Sequence, residues 1–217
     1  MILTSSLNTS REDKKLTIGS CFLNNKNIIK SLNNETNRML ILGYAHYSSM
    51  SRIYERELKG ILQGDVETLE NATKTCSEEE KKGYFKIINK PFIVIRSAGS
   101  LGVDIVALRG DISFPIEVKS SVRKRIHLSN TPRLKEQAER FNRLCEKAGL
   151  MPIYAFRLKR VRGDSWRIFT LETKNLDRGA KVIYRRLPKA PKSRDGYYIL
   201  KWEEGMPLNK FIDYITL

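Results

Sequence analysis

Apolar positions along this chain change their spacing several times, and each change marks an element. Met50, Ile53, Tyr54, Leu58, Ile61 and Leu62 recur at helical spacing, with Ser49 or Ser51 available to cap the start. The spacing then collapses to short runs rich in β-branched residues: Phe92-Ile93-Val94-Ile95, Asp104 to Leu108, and Ile112 to Val118. Arg109-Gly110-Asp111 supplies turn chemistry between the second and third runs, which predicts an antiparallel hairpin. Helical spacing returns in Leu134, Ala138, Phe141, Cys145 and Ala148, with Thr131-Pro132 as entry and Gly149 as exit. Two more strands are predicted at Ile153–Leu158 and Trp166–Leu171. Helix, three strands, helix, two strands predicts an α/β sandwich with a mixed sheet.

The flanks read differently. Residues 1–49 are rich in Asn and Ser, with short apolar pieces such as Ile2-Leu3, Cys21-Phe22-Leu23 and Met39 to Leu42. They are expected to form a weakly structured arm or appendage, and Met50 is a candidate start of translation. The organised core is expected over 50–174. Within it, 65–90 is polar, with a charged helical piece through Ser77–Lys82, and reads as an inserted connection rather than core. Residues 175–217 read as a basic, Pro-containing extension that closes with a strand at Tyr197–Trp202 and a short helix at Leu208–Ile215. No internal repeat is found.

Charge changes this picture more than length does. Among 217 residues, 40 are Lys or Arg and 24 are Asp or Glu, a formal net charge of +16. With 41% hydrophobic residues the chain can fold around a core, so the surplus charge points to a polyanionic partner, most commonly nucleic acid. The bland alternative is a basic face serving solubility or anionic lipid. Cys21, Cys76 and Cys145 are odd in number, widely spaced and outside any C-x-x-C pair, so neither a disulfide framework nor a zinc site is indicated. Cys145 falls on the apolar stripe and reads as a buried thiol. No apolar run is long enough to cross a bilayer, and the N-terminus lacks the apolar stretch of a secretory signal. The expectation is a cytoplasmic protein with no membrane association. His46 and His127 lie far apart and make a two-His metal site improbable. The cluster Lys181 to Lys192 reads equally as a phosphate track or a solvated tail, and Trp166 as core or dimer surface.

The chemistry concentrates in Arg96 to Asp104 and in Ile116-Glu117-Val118-Lys119. Glu117 and Lys119 are two apart on a strand and share a face, and Asp104 opens the preceding strand of the same hairpin. Two carboxylates suit Mg²⁺, with Mn²⁺ as a substitute, and the Val118 carbonyl between them is a further ligand. Such a metal polarises a phosphodiester oxygen and lowers the pKa of the attacking water, which Lys119 can orient. The alternative is an ordinary solvated Glu–Lys pair beside a turn aspartate, since an E-x-K triplet is common. Its surroundings favour the first reading. Ala98, Gly99, Ser100 and Gly102 let a phosphate approach the backbone closely, and the basic run Arg123-Lys124-Arg125 follows Lys119.

Four ordered segments carry a resemblance. They are Tyr54-Glu55-Arg56-Glu57, Ile95-Arg96-Ser97-Ala98-Gly99-Ser100, Asp104-Ile105-Val106-Ala107 and Ile116-Glu117-Val118-Lys119. Together they resemble the PD-(D/E)XK nuclease superfamily and, within it, the archaeal Holliday junction resolvases. The resemblance runs from about Met50 to Leu171, and Glu136-Gln137-Ala138-Glu139 and the Trp166-Arg167-Phe169 region also have equivalents there. It implies a restriction-endonuclease-like sandwich, a central mixed sheet flanked by helices. It implies Glu55, Asp104, Glu117 and the Val118 carbonyl as metal ligands, Lys119 as the catalytic lysine and Ser100 as the loop serine near the scissile phosphate. Arg56, Arg96, Ser97, Gly99 and the run Arg123–Arg125 are the implied nucleic-acid contacts. Three departures stand out: Val103 replaces the proline that names the superfamily, segment 65–90 widens the gap after the first helix, and Leu144 stands where some members carry an aromatic.

Helical geometry leaves one choice open. Glu57 lies inside the apolar stripe of its helix and Glu55 on the flank. Pattern alone flags Glu57, whereas the resemblance favours Glu55. The resulting expectation is a metal-dependent endonuclease acting as a homodimer on branched double-stranded DNA, nicking four-way junctions symmetrically. The alternatives are the same chemistry on flaps, replication intermediates or foreign duplex, and a non-catalytic basic nucleic-acid-binding protein.

Overall fold

The computed structural model describes residues 52–97, 103–128 and 131–217, all within the compact unit Met50–Leu217. Residues 52–63 form the first described helix (α1). It is followed by α2 (Val66–Ala72), α3 (Glu78–Phe85) and a 3-10 turn, then β1 (Ile93–Arg96), β2 (Ile105–Leu108) and β3 (Ser113–Ser121). Next come β4 (Arg125–His127), α4 (Pro132–Ala148), β5 (Ile153–Leu158), β6 (Trp166–Thr170) and α5 (Arg178–Arg186). The order ends with β7 (Ile199–Lys201), β8 (Met206–Pro207) and α6 (Leu208–Ile215).

The main sheet has the order β1-β2-β3-β5-β6-β8. β3 pairs antiparallel with β2 and parallel with β5, so the sheet is mixed, and α4 is the crossover that a parallel neighbour requires. Each sheet face has its own core. On one face, Ile105, Ala107, Ile116, Val118, Ile153 and Ala155 meet Leu58, Ile61 and Leu62 of α1 and Phe211, Ile212 and Ile215 of α6. On the other, Tyr154, Phe156, Leu158 and Phe169 meet Ala138, Phe141 and Cys145 of α4. The α/β sandwich with a mixed sheet expected from apolar spacing is therefore found.

Local signals explain why α4 starts and stops where it does. Thr131 accepts the Leu134 N–H at 3.3 Å, Pro132 opens the first turn, and Gly149 leaves it at φ 70. The left-handed cap is why glycine stands there.

Two expectations need correction. Segment 65–90 is not a connection outside the core, because Leu69, Tyr84 and Ile87 are buried with α1 and α6. It forms two short helices, capped by Asp65 and by a Ser77–Glu80 capping box. Each contributes only one or two inward residues, too few to make a stripe readable in the sequence. Segment 175–217 is likewise integral: α5 buries Ala180 and Ile183, β8 extends the main sheet beside β6, and α6 closes the α1-face core. Its basic residues Lys181, Arg185 and Arg186 line the exposed side of α5 and obscure the apolar positions.

The predicted strand near Tyr197–Trp202 exists as β7. It pairs with β4 in a separate ribbon rather than with the main sheet. Asp164 ties the late elements together. Its Oδ1 accepts the Tyr84 hydroxyl of α3 at 2.8 Å and the Trp166 N–H at 2.9 Å, and its Oδ2 accepts the Asn209 N–H of α6 at 2.9 Å. Among the described residues no helix is long and apolar enough to cross a membrane.

Candidate active site

The site grows out of a mismatch in strand length. β2 starts at Ile105, opposite Ile116, whereas β3 runs on to Ser121 along β5. Beyond Ile116, the β2-side edge of β3 loses its strand partner. Asp104 fills the gap: its N–H donates to the Ile116 carbonyl at 3.0 Å, and its Oδ2 accepts the Val118 N–H at 2.7 Å. N–H and C=O of one strand residue point to the same edge, so the Val118 carbonyl also opens toward Asp104.

Glu117 and Lys119 alternate with Val118 and so share the α4 face, opposite Tyr154 and Phe156 of β5. Glu117 is only 6% exposed. Its Oε1 accepts Lys119 Nζ at 2.6 Å, and its Oε2 is buried without a hydrogen-bond partner among the described residues. Burial pushes the Glu117 carboxyl up to about 7 against the pull of the Lys119 ammonium, with the charges of Asp104 and Glu55 adding to the rise. Asp104 is raised too, first by burial, and the Val118 N–H and Lys119 oppose this.

Glu55 reaches the same place from α1. Its Oε2 accepts Arg96 Nη2 at 2.7 Å and Arg96 Nε at 3.3 Å. Its charge adds a smaller upward push at both Asp104 and Glu117, and Arg96 a smaller downward one at Asp104. Glu57 is oriented elsewhere. Its Oε1 accepts Trp166 Nε1 at 2.8 Å and Arg157 Nε at 3.0 Å. The fold thus brings Glu55, Arg96, Asp104, Glu117 and Lys119 together and leaves Glu57 in a different cluster.

The remaining sequence candidates divide. Ser97 adjoins the centre through its N–H, which donates to the Asp104 carbonyl at 2.9 Å. Gly99 and Ser100, with Ala98, Leu101 and Gly102, lie outside the described residues. Arg56 is exposed and lines a cleft of about 320 Å³ with Ile53, Thr68, Asn71 and Arg157, not the carboxylate centre. Arg123 and Lys124 are exposed in the turn after β3, and Arg125 leads into the β4–β7 ribbon. There Arg125 stands directly opposite Lys201, a basic neighbour that sequence spacing does not reveal. Gln137 of α4 lines a small cavity with Glu117, Lys119 and Tyr154. In the sequence it stood only as part of the Glu136-Gln137-Ala138-Glu139 segment of the resemblance, with no role attached. Trp166 is core, 1% exposed, and so is Cys145, whose thiol burial pushes up to about 12.

Residues 77–212 match the family described as archaeal Holliday junction resolvase (hjc), a span covering more than half of the chain. The chain belongs to the archaeal Holliday junction resolvases. The matched span contains Asp104, Glu117 and Lys119 and reaches into α6, well past the Leu171 limit of the motif resemblance. It begins after α1, so Glu55 lies outside it. Among solved structures, the chain is similar to Hjc from Archaeoglobus fulgidus, a Holliday junction resolvase from an archaeal hyperthermophile. The identity is 21%, over 56% of this chain and 81% of that one, with a TM-score of 0.38. No curated protein matches the chain.

As a member of that family the chain is a junction-resolving nuclease that acts on branched DNA. Such resolvases use a divalent cation, and the donor set here bears on whether it fits. Among the described residues, no three His, Cys, Asp or Glu side chains form a self-sufficient metal cage. A hard cation that keeps several waters does not need one. The partnerless Glu117 Oε2, the adjacent Asp104 carboxylate and the Val118 carbonyl supply oxygen donors of the right kind, so the residues fit.

Proposed function

We propose that this resolvase cleaves with Mg²⁺, or Mn²⁺ in its place, held by Asp104, Glu117 and the Val118 carbonyl, with Glu55 completing the acidic set. The observation that carries the reading is the buried, partnerless Oε2 of Glu117 beside the half-buried carboxylate of Asp104. Uncompensated buried carboxylates are costly to a fold, and a cation is the ligand that offsets them.

When bound, the cation supplies Lewis acidity toward the phosphodiester oxygens and lowers the pKa of the attacking water. The protein's own groups do the rest. Lys119, 31% exposed and fixed by Glu117, presents its ammonium where water and phosphate arrive. There it orients the water and offsets negative charge developing on the phosphoryl oxygens. Arg96, held by Glu55, serves as a phosphate contact beside the same acids. The basic run Arg123–Arg125 carries a DNA arm away from the centre by charge attraction to successive phosphates.

Two matched nicks call for two matched sites, and the protein is read as a homodimer. The support is an uncovered apolar face on the sheet edge. Ile93 and Ile95 of β1 are 70% and 53% exposed, with Leu108 directly opposite Ile93. Leu144 is exposed on α4, on the same side of the sheet. A second copy of the chain is the partner that this reading assigns to the patch.

The decisive experiment compares Mg²⁺-dependent cleavage of a four-way junction, a flap, a linear duplex and single-stranded DNA. Paired symmetric nicks confined to the junction are expected. Cutting of flaps or duplex in preference would move the reading to another substrate, and binding without cutting in any divalent metal would refute the proposed site.

A further inference from the structure

Glu57 looked from sequence like a buried acid in search of a role, and its surroundings give it one. It shares α1 with Glu55, two residues away, and the two side chains leave the helix about 200° apart. Each is gripped by an arginine from the sheet. Glu55 holds Arg96 of β1, and Glu57 holds Arg157 of β5. In the sheet order, β1 and β5 lie on opposite sides of the β2–β3 pair that carries Asp104 and Glu117. The start of α1 therefore straddles the acidic centre, tied down on both flanks.

The Glu57 tie is the better built of the two. Trp166 is fully buried, and its indole N–H donates to Glu57 at 2.8 Å. Arg157 stands directly opposite Trp166 across β5–β6, and its guanidinium lies 5.4 Å from the Tyr54 ring centre and 5.9 Å from that of Trp166. Tyr54 meets Trp166 edge to face at 6.5 Å. The fully buried apolar anchors of α1, Leu58, Ile61 and Leu62, all follow Glu57; before it Ile53 is exposed and Tyr54 is only half-buried. The turn that bears Glu55 thus has little to fix its rotation except this cluster and the Arg96 contact.

We infer that Glu57 is a positioning residue: its contacts to Trp166 and Arg157 set the rotation of α1 and thereby aim Glu55 at the Asp104–Glu117 centre. In this reading Glu57 acts through Glu55 rather than as a ligand. Both donors bind its Oε1, and the charge of Glu55, not that of Glu57, is felt at Asp104 and Glu117. The inference rests on Glu55 belonging to the metal site, as proposed above.

The test reads Mn²⁺ binding to the metal-free full chain by electron paramagnetic resonance, alongside single-turnover junction cleavage. Glu57→Ala is expected to weaken Mn²⁺ binding about tenfold, the range seen when partners that orient metal ligands are removed. Glu57→Gln keeps an acceptor for Trp166 and is expected to recover most of that loss. In a Glu55→Gln background, Glu57→Ala should add less than about twofold, because the group it positions is already neutral. Arg157→Met, which cuts the same tie from the sheet side, is expected to match Glu57→Ala and not to add to it, and it serves if Glu57→Ala folds poorly.

Unchanged Mn²⁺ binding in Glu57→Ala and Arg157→Met would overturn the inference. So would an equal loss in both backgrounds, or a Glu57→Gln defect as deep as that of Glu57→Ala. If Glu55→Gln alone leaves Mn²⁺ binding and cleavage intact, the assignment of Glu55 fails and this inference falls with it. Asp104 and Glu117 variants would still report on the rest of the site.

Discussion

The carboxylate of Asp104 stands in for a missing strand, accepting the Val118 N–H at 2.7 Å where β2 has ended and β3 continues. One side chain thereby closes the sheet and supplies a proposed ligand. The two roles are separable. Asp104→Asn retains an oxygen that can accept from Val118 and loses only the charge. It is expected to lower single-turnover cleavage by roughly a hundredfold or more, the scale of losing metal-based charge stabilisation. Junction affinity and unfolding free energy should stay near those of the unsubstituted protein. Asp104→Ala should add a stability loss of about 1–3 kcal/mol in denaturant titration, because the Val118 N–H is left without its acceptor.

Glu117 makes stability depend on pH in an unusual direction. Its carboxyl titrates at about 7 in the folded state against an ordinary value of 4.5. Between those values the native protein holds a proton that the unfolded chain has released, so this group lowers stability as pH rises through the window. Glu117→Gln is accordingly expected to raise the melting temperature of the metal-free protein at pH 8 and to change it little at pH 4. Added Mg²⁺ should stabilise the unsubstituted protein more at pH 8 than at pH 5.5, since the cation binds the ionised form. Thermal melts across pH, with and without Mg²⁺, read both effects, and melts insensitive to pH would contradict them.

Gly149 provides a control away from the chemistry. Its φ of 70 ends α4 with its N–H donating to the carbonyls of Cys145 and Glu146. Gly149→Ala is expected to cost about 1 kcal/mol in unfolding free energy through the left-handed strain. Cleavage rates at a temperature well below the melt should be unchanged.

The exposed edge formed by Ile93 and Ile95 tests the proposed homodimer. Ile95→Lys places a charge in the middle of the apolar patch and is expected to shift the protein from dimer to monomer in sedimentation velocity. Junction cleavage should then change from paired to single, uncoupled nicks. A dimer that survives both Ile93→Lys and Ile95→Lys would mean that copies pair through another surface.

Legibility in the sequence followed how far each element had to look for its partners. The β2–β3 hairpin, α4 with both caps, β5 and α6 were visible because their signals are local: a turn tripeptide, a capping threonine, a terminal glycine, one long stripe. The Glu117–Lys119 pair was visible for the same reason, since strand alternation alone puts the two on one face. Segment 65–90 and α5 were misread because each buries only a few residues, and their charged outer faces dominate the composition. The β4–β7 ribbon joins residues more than seventy positions apart, which no local pattern encodes. Glu55 and Glu57 could not be ranked from the stripe because the choice depends on Arg96, Arg157 and Trp166, all distant in sequence. Stripe membership singled out Glu57 as the buried acid, yet its side chain is slightly more exposed than that of Glu55, and the stripe could not reveal the donors around it.

The three-way contact at Asp164 bears on how the protein is made. The carboxylate lies just ahead of β6, and one of its donors, the Asn209 N–H, belongs to a helix translated some forty residues later. During synthesis from the N-terminus, α3 and β6 can meet first through Tyr84 and Trp166, leaving one carboxylate oxygen exposed to water. Docking of α6 then dries that oxygen, satisfies it and seals the α1-face core in a single event. Closure of that core thus waits on α6, which follows the catalytic strands in the chain.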